Sequence, residues 1–94
     1  MSDIFSLEGK TAVVLGGAGI LGAALVEGLA RAGASVAIAG RTHSKTLALA
    51  ERLAASGLIA KGLAVDTTSK EGIESCLQEV LEAFGGVDIL VNAV

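Results

Sequence analysis

The 94-residue sequence has one cysteine, one histidine and no run of basic residues, and each of these shortages excludes a class of site or partner. With Cys76 alone, an internal disulfide is impossible and a zinc cluster of cysteines and histidines is not available. The net charge of −3 argues against a nucleic-acid surface. The apolar stretches are shorter than a membrane span, and no charged-then-apolar signal peptide opens the chain. We therefore expect a reduced, cytoplasmic protein that binds neither nucleic acid nor membrane.

Charged residues are also scarce, at 18% of the sequence, whereas hydrophobic residues make up 52%. The usual charged share is about 25%. This balance suits a sheet that is covered by helices on both faces, because the strands of such a sheet are apolar on both sides. The chain is long enough for one domain with a core and short for most enzymes. We predict one domain at most over residues 1–94, and the low charge also fits a piece of a larger fold, an incomplete half-domain.

Glycine, by contrast, is concentrated between a predicted strand and a predicted helix. Four glycines lie within seven residues, directly after the apolar run 11–15: Gly16, Gly17, Gly19 and Gly22. A helix N-terminus favours anions, since free N–H groups and the positive end of the helix dipole meet there. Backbone approaches a phosphate closely only where side chains are absent. In this context the cluster predicts a dinucleotide pyrophosphate site; the alternative is a tight turn without a ligand.

The rest of the chain alternates short apolar segments with helical patterns. Strands are predicted over residues 11–15, 35–39, 58–65 and 87–91. Helices are predicted over residues 19–32, from 43 or 44 to about 55, and over about 68–84. The order βαβαβαβ implies an α/β fold with a doubly wound parallel sheet. Strand order 3-2-1-4 follows if the winding reverses at the glycine turn.

Local sequence patterns predict the buried face of the first helix and the start of the third. Leu21, Leu25 and Leu29 recur at helical period in the first helix. Thr68 and Glu71 have the spacing of a capping box ahead of the third helix. A glycine at position 62 interrupts the apolar pattern of the predicted third strand.

The end of the second strand predicts which dinucleotide is bound. Folds that choose NAD place an acid there for the ribose 2′-hydroxyl, whereas this sequence reads Gly40-Arg41-Thr42. A guanidinium makes charge-assisted hydrogen bonds to a 2′-phosphate, so Arg41 predicts NADP(H) in preference to NAD(H). His43 and Lys45 lie near enough in sequence to assist. The alternative is that Arg41 is a solvated loop residue.

Asp66 and Asn92 end the third and fourth strands, at the carboxyl edge of the sheet where ligands bind in such folds. Asp66 either accepts a hydrogen bond from the adenine amino group or caps the next helix together with Thr67 and Thr68. Asn92 either contacts the ribose of the cofactor or satisfies backbone groups between strands. Cys76 is interpreted as a small core residue, because no histidine or cation cluster surrounds it that would activate a thiol.

At these positions the chain resembles the N-terminal part of the short-chain dehydrogenase/reductase family. Four landmarks match in order: the glycine turn, Gly40-Arg41, Val65-Asp66, and the segment 87–93, which is similar to the family's Asp-(Ile/Leu)-Leu-Val-Asn-Asn-Ala-Gly. The match covers nearly all 94 residues and implies a Rossmann-like domain that binds a nicotinamide dinucleotide. It implies the following cofactor-binding residues: Gly16, Gly17, Gly19, Ile20, Leu21 and Gly22 at the phosphates, Arg41 at the 2′-phosphate, Asp66 at the adenine, and Asn92 with Ala93 at the ribose.

The sequence departs from the family pattern at two places. The middle glycine of the usual Thr-Gly-x-x-x-Gly-x-Gly is displaced by one position, to Gly19, and Leu15 replaces the threonine. The resulting Gly-Gly-Ala-Gly-Ile-Leu-Gly resembles members related to mannonate oxidoreductases, which points to a sugar-acid substrate. Ala93 stands where the family more often has a second asparagine.

The sequence contains no tyrosine, so the Tyr-x-x-x-Lys pair that the family uses for catalysis is not within it, and we predict no catalytic residue. Hydride transfer to a carbonyl requires a proton source in place. We therefore expect the cofactor-binding half of an NADP(H)-dependent oxidoreductase that acts on a small carbonyl or alcohol substrate and is a homo-oligomer when complete. The alternatives are a stand-alone nucleotide-binding or regulatory module, dimerising through an open sheet edge, and an inactive gene fragment.

Overall fold

The computed structural model describes residues 6–94, so the first five residues of the predicted domain lie outside the described part. Strands and helices alternate along it: β1 (Thr11–Leu15), α1 (Ile20–Arg31), β2 (Ser35–Gly40), α2 (His43–Ala55), β3 (Ala60–Ala64), α3 (Lys70–Phe84) and β4 (Ile89–Asn92). The strands are parallel and their order is β3-β2-β1-β4. The predicted α/β fold, with a doubly wound sheet of order 3-2-1-4, is confirmed. None of these helices is long and apolar enough to cross a membrane.

β1 and β2 form the centre of the sheet and are buried along nearly their whole length. Both have a neighbouring strand on each side, so their apolar side chains meet helices above and below. One face packs against α1 and α2 around Val14, Ile38 and Leu53. The other face packs against α3 around Val13 and Val80. The core is therefore divided into two layers by the sheet.

The buried face of α1 differs from the predicted leucine stripe. Gly22, Val26 and Ala30 are buried, whereas Leu21 and Leu25 are exposed. The cause is the close packing of the helix on the turn that precedes it, since a Cβ on residue 22 would collide with the carbonyl oxygen of Gly16. Small residues line the contact because they allow the two backbones to approach.

The glycine that interrupts the apolar pattern of the third strand is explained by the packing of α2. A Cβ on Gly62 would lie 2.7 Å from the carbonyl oxygen of Thr46, so no side chain fits there. Thr46 is itself fully buried, and its hydroxyl donates to the carbonyl oxygen of His43. The glycine that interrupts the apolar pattern thus allows α2 to lie directly on β3. The strand is shorter than the predicted 58–65.

α3 begins one residue later than the capping-box pattern predicted. Its N-cap is Ser69, whose hydroxyl oxygen accepts a hydrogen bond of 3.0 Å from the N–H of Gly72. The predicted cap at Thr68 is wrong because that residue is engaged elsewhere: its hydroxyl and its N–H both donate to Asp66. Asp66 accordingly belongs to the turn before α3 and does not cap the helix.

Cys76 lies on the buried face of α3. Burial, together with the nearby charge of Glu79, raises the pKa of its thiol. A buried, protonated thiol is a poor nucleophile. The interpretation of Cys76 as a core residue is confirmed.

β4 is aligned with β1 by Asp88. The N–H of Asp88 donates to the carbonyl oxygen of Thr11, and its carboxylate accepts from the N–H of Thr11, both at 2.9 Å. This pair of hydrogen bonds fixes a register in which Asn92 lies beside Leu15. The carboxyl ends of β1 and β4 therefore meet at the same edge of the sheet.

Candidate functional site

The turn between β1 and α1 is built from backbone alone. Gly16 has a φ of +79°, a conformation that residues with a Cβ rarely adopt, and its N–H donates to the carbonyl oxygen of Ala39 at 2.7 Å. Gly17 is buried, and a Cβ there would lie 2.9 Å from Cγ2 of Ile38. The turn is thus fixed against β2 and requires glycine at both positions.

Gly19 differs from the other glycines of the turn. It is the N-cap of α1 with φ −74° and ψ 172°, a backbone geometry that any residue adopts. A Cβ there would meet the carbonyl oxygen of Gly16 at an ordinary 3.6 Å. The fold therefore tolerates a side chain at position 19. What the glycine provides is open space in front of the helix.

Free hydrogen-bond donors lie in the first turn of α1. The N–H groups of Ile20, Leu21 and Gly22 have no acceptor within residues 6–94, as is usual in the first turn of a helix. They lie at the positive end of the α1 dipole, an arrangement that binds anions. The side chain of Ile20 is 96% exposed, so the start of the helix is accessible to a ligand.

A cleft of about 330 Å³ opens beside this turn, at the carboxyl edge of the sheet. Its wall takes residues from all four strand ends and from the start of α2: Gly16, Ala18, Gly19, Gly40, Arg41, Thr42, Lys45, Thr67, Ala93 and Val94. Four of the predicted cofactor-binding residues are among them: Gly16, Gly19, Arg41 and Ala93. Ligands of open α/β sheets bind at this edge, where the winding reverses, and the volume lies within the range of about 300–1,000 Å³ for small-molecule sites.

The other predicted residues lie outside the wall of the cleft: Gly17, Ile20, Leu21, Gly22, Asp66 and Asn92. Gly17 and Gly22 are buried beneath the turn. Asn92 makes a local contact, because its Oδ1 accepts a hydrogen bond of 3.2 Å from the N–H of Val94. The side chain therefore satisfies the backbone at its own strand end, and its contact with a ribose stays a prediction.

Arg41 and Asp66 meet across the ends of β2 and β3. Nη2 of Arg41 lies 3.4 Å from Oδ1 of Asp66, and the two side chains are 70% and 51% exposed. An ion pair this exposed contributes little to folding stability. Arg41 is thus a solvated residue with one weak partner, placed on the wall of the cleft.

Thr68 fixes the carboxylate of Asp66. Oδ1 accepts from the hydroxyl of Thr68 at 2.6 Å and from its N–H at 2.9 Å. These hydrogen bonds, and to a smaller extent the charge of Arg41, lower the pKa of the Asp66 carboxyl, which is therefore ionised at neutral pH. Oδ2 has no hydrogen-bond donor among the residues that the structure describes. That oxygen is available to accept from a ligand, and the adenine contact stays a prediction.

Of the two residues expected to assist Arg41, Lys45 lines the cleft and His43 does not. His43 lies on a separate cavity between α2 and β3, together with Leu47 and Glu51. Residues two apart in a helix do not share a face, so this difference follows once residue 43 begins the helix. The helical period of α2 thus predicts that the side chains of His43 and Lys45 lie on different faces of the helix.

Ala18, Thr42 and Thr67 line the cleft although the sequence pattern did not single them out as binding residues. Thr42 is the N-cap of α2 and makes no side-chain cap bond. Each of the three lies within three residues of the end of a strand. Their position at the carboxyl edge was therefore readable from the strand boundaries, whereas their residue types gave no signal.

Known proteins share this fold and its sequence pattern. A family model described as short chain dehydrogenase matches residues 10–94. The chain is 40% identical over 87 residues to the uncharacterized oxidoreductase UxuB of Bacillus subtilis (strain 168), covering 93% of this chain and 31% of that protein. It is also 40% identical over 86 residues to a sorbitol dehydrogenase of Cereibacter sphaeroides, covering 92% of this chain and 32% of that protein.

Solved structures match as well. An RhlG/NADP active-site complex from Pseudomonas aeruginosa superposes with a TM-score of 0.88 and 36% identity, covering 98% of this chain and 37% of that chain. The crystal structure of gox2181 superposes with a TM-score of 0.92 and 34% identity, covering 96% and 35%. The chain thus spans about a third of the length of these relatives.

Proposed function

The chain belongs to the short-chain dehydrogenase family, and from that premise we propose that it forms the NADP(H)-binding portion of an oxidoreductase. The complete reaction would be hydride transfer between the nicotinamide and a carbonyl or alcohol substrate. One observation carries the proposal: a single cleft combines the glycine turn at the start of α1 with two cations, Arg41 and Lys45. A dinucleotide with three phosphate groups needs both kinds of contact.

The glycine turn is proposed to bind the pyrophosphate. The free N–H groups of Ile20, Leu21 and Gly22 would donate to its oxygens, and the missing side chain of Gly19 leaves the room that those oxygens need. When bound, the cofactor supplies or accepts the hydride at its nicotinamide ring. Because NAD(H) carries the same pyrophosphate, these contacts give affinity without preference between the two cofactors.

Arg41, assisted by Lys45, is proposed to supply the preference for NADP(H). The 2′-phosphate is the group that distinguishes the two cofactors, and no acid follows β2 to bind a ribose 2′-hydroxyl in its place. A charge-assisted hydrogen bond contributes roughly 1.5–3 kcal/mol, which is about ten- to a hundredfold in affinity. Asp66 is proposed to contact the adenine, and Asn92 with Ala93 the ribose.

Residues 1–94 are accordingly proposed to be a dinucleotide-binding half-domain. A cytoplasmic location, a sugar-acid substrate of the mannonate-oxidoreductase type and a homo-oligomeric complete protein stay predictions.

Calorimetric titration of the chain with NADPH and with NADH tests the proposal. We expect NADPH to bind about tenfold or more tightly than NADH. The matched pair of adenosine 2′,5′-bisphosphate and AMP, which differ by the 2′-phosphate alone, should show the same ratio. Equal affinities would contradict the preference, and a folded chain that binds neither cofactor would contradict the function itself.

A further inference from the structure

One carboxylate oxygen connects the start of α3 to the end of β2. Oδ1 of Asp66 accepts from the hydroxyl and the N–H of Thr68 at 2.6 and 2.9 Å, and it also lies 3.4 Å from Nη2 of Arg41. The hydroxyl bond from Thr68 is short and its N–H bond has an ordinary length, whereas the contact with Arg41 is long. The orientation of the carboxylate is therefore set by Thr68, and Arg41 meets a carboxylate that is already fixed.

We propose that Thr68 is a positioning residue for cofactor preference: by fixing Asp66, it holds the guanidinium of Arg41 at the wall of the cleft, ready for a 2′-phosphate. The inference rests on the proposed function of Arg41. Thr68 itself does not line the cleft, and its effect on a ligand passes through two other side chains.

The physical reason is preorganisation. Arg41 is 70% exposed, so without a partner its long side chain would sample many rotamers, and ordering it on a phosphate would cost entropy. The contact with Asp66 removes part of that cost in advance. It engages one nitrogen, and the guanidinium has five N–H donors in all, so several stay available for a phosphate.

A substitution at Thr68 tests the positioning of Arg41 without changing the charge of the site, which a substitution at Asp66 cannot do. The carboxylate of Asp66 also repels a phosphate, and its other oxygen is the proposed adenine contact. Substituting Asp66 would therefore change the charge beside the phosphate, the adenine contact and the positioning of Arg41 together. Replacing the Thr68 hydroxyl by a methyl group keeps the shape of the side chain and the charge of the carboxylate, and it changes only how firmly that carboxylate is held.

The test compares Thr68→Val with the matched control Thr68→Ser, which keeps the hydroxyl. In Thr68→Val we expect the ratio of NADPH affinity to NADH affinity to fall about two- to fivefold, the range of one exposed ion pair. A weakened adenine contact of Asp66 lowers both affinities alike and cancels in this ratio. Thr68→Ser should bind both cofactors as the unsubstituted chain does. In an Arg41→Ala background, Thr68→Val should leave the ratio of the two affinities unchanged.

A loss that is equal for both cofactors, or a fall in the affinity ratio that persists without Arg41, would overturn the inference. Carbon-13 NMR titration of Asp66 provides a readout that needs no cofactor: its pKa should rise in Thr68→Val and not in Thr68→Ser, and an unchanged pKa would overturn the inference as well. If the unsubstituted chain shows no preference for NADPH, the proposed function of Arg41 fails first. If it shows the preference and Thr68→Val leaves the ratio unchanged, this inference alone fails.

Discussion

The two sides of the cleft are built in opposite ways. On the side of the glycine turn, Gly17 and Gly22 are buried, and the backbone is fixed by contacts that leave no room for a Cβ. On the other side, Arg41 and Asp66 are exposed side chains joined by one long ion pair. The proposed contacts with groups that all dinucleotides share thus depend on backbone that cannot change without disturbing the fold. The proposed contacts that distinguish one dinucleotide from another depend on side chains whose replacement costs the fold little.

Gly22→Ala should give the largest effect on the buried side. The added Cβ collides with the carbonyl oxygen of Gly16, and backbone cannot move aside as a flexible side chain does. We expect the free energy of unfolding to fall by about 3 kcal/mol, the upper end for overpacking. Urea unfolding followed by circular dichroism measures it.

Gly28→Ala is the matched control in the same helix. Nothing lies within 4 Å of a Cβ there, and alanine favours a helix over glycine by roughly 0.5–1 kcal/mol. This variant should therefore be more stable than the unsubstituted chain. Two glycine-to-alanine substitutions in one helix would then change the free energy of unfolding in opposite directions. A Gly22→Ala chain as stable as Gly28→Ala would mean that α1 does not need its close approach to the turn.

Gly19→Asp should separate binding from folding. An aspartate at the N-cap accepts from the first N–H groups of α1, so stability should stay the same or rise by a few tenths of a kcal/mol. The carboxylate would occupy the space of the pyrophosphate and repel it, so both cofactors should bind about a hundredfold more weakly. Calorimetry on the folded variant measures this loss. Gly19→Ser adds a cap without charge and should lose less cofactor affinity. Unchanged NADPH affinity in Gly19→Asp would contradict the proposal that the pyrophosphate binds at this turn.

Arg41→Ala should affect the exposed side and one cofactor alone. NADPH affinity should fall about tenfold or more while NADH affinity stays constant, and the free energy of unfolding should change by less than about 0.5 kcal/mol. His43→Ala is the control, because His43 lies near Arg41 in sequence and outside the cleft. Its cofactor affinities should match those of the unsubstituted chain. Equal losses of NADPH and NADH in Arg41→Ala would assign Arg41 to a contact that both cofactors share.

The fold was predictable where local sequence determines it and less so where a distant backbone does. β1 was predicted with its observed bounds, because Thr11 and the four apolar residues after it lie between Lys10 and Gly16. The bounds of β3 were not, since that strand is shaped by the backbone of α2 at Thr46, which packs on Gly62. No local pattern records such a contact.

In the site, too, features set by local sequence were predictable and features set by distant residues were not. The glycine turn and Arg41 were predicted because each is a local signal at the end of a strand. The capping-box pattern at Thr68 competes with a second local pattern: an aspartate two residues before a threonine has the spacing of an Asx turn, and the structure forms that turn. The meeting of Asp66 with Arg41 depends on the pairing of β2 with β3, and that pairing brings together residues 25 positions apart.

Nitrogen-15 NMR spectra recorded during titration with NADPH and with NADH test the central claim most directly, because they report on both sides of the cleft in one sample. We predict that the amide signals of Ile20, Leu21 and Gly22 shift with either cofactor, whereas the side-chain signal of Arg41 shifts with NADPH alone. Turn amides that respond to neither cofactor, or an Arg41 signal that responds equally to both, would contradict the account.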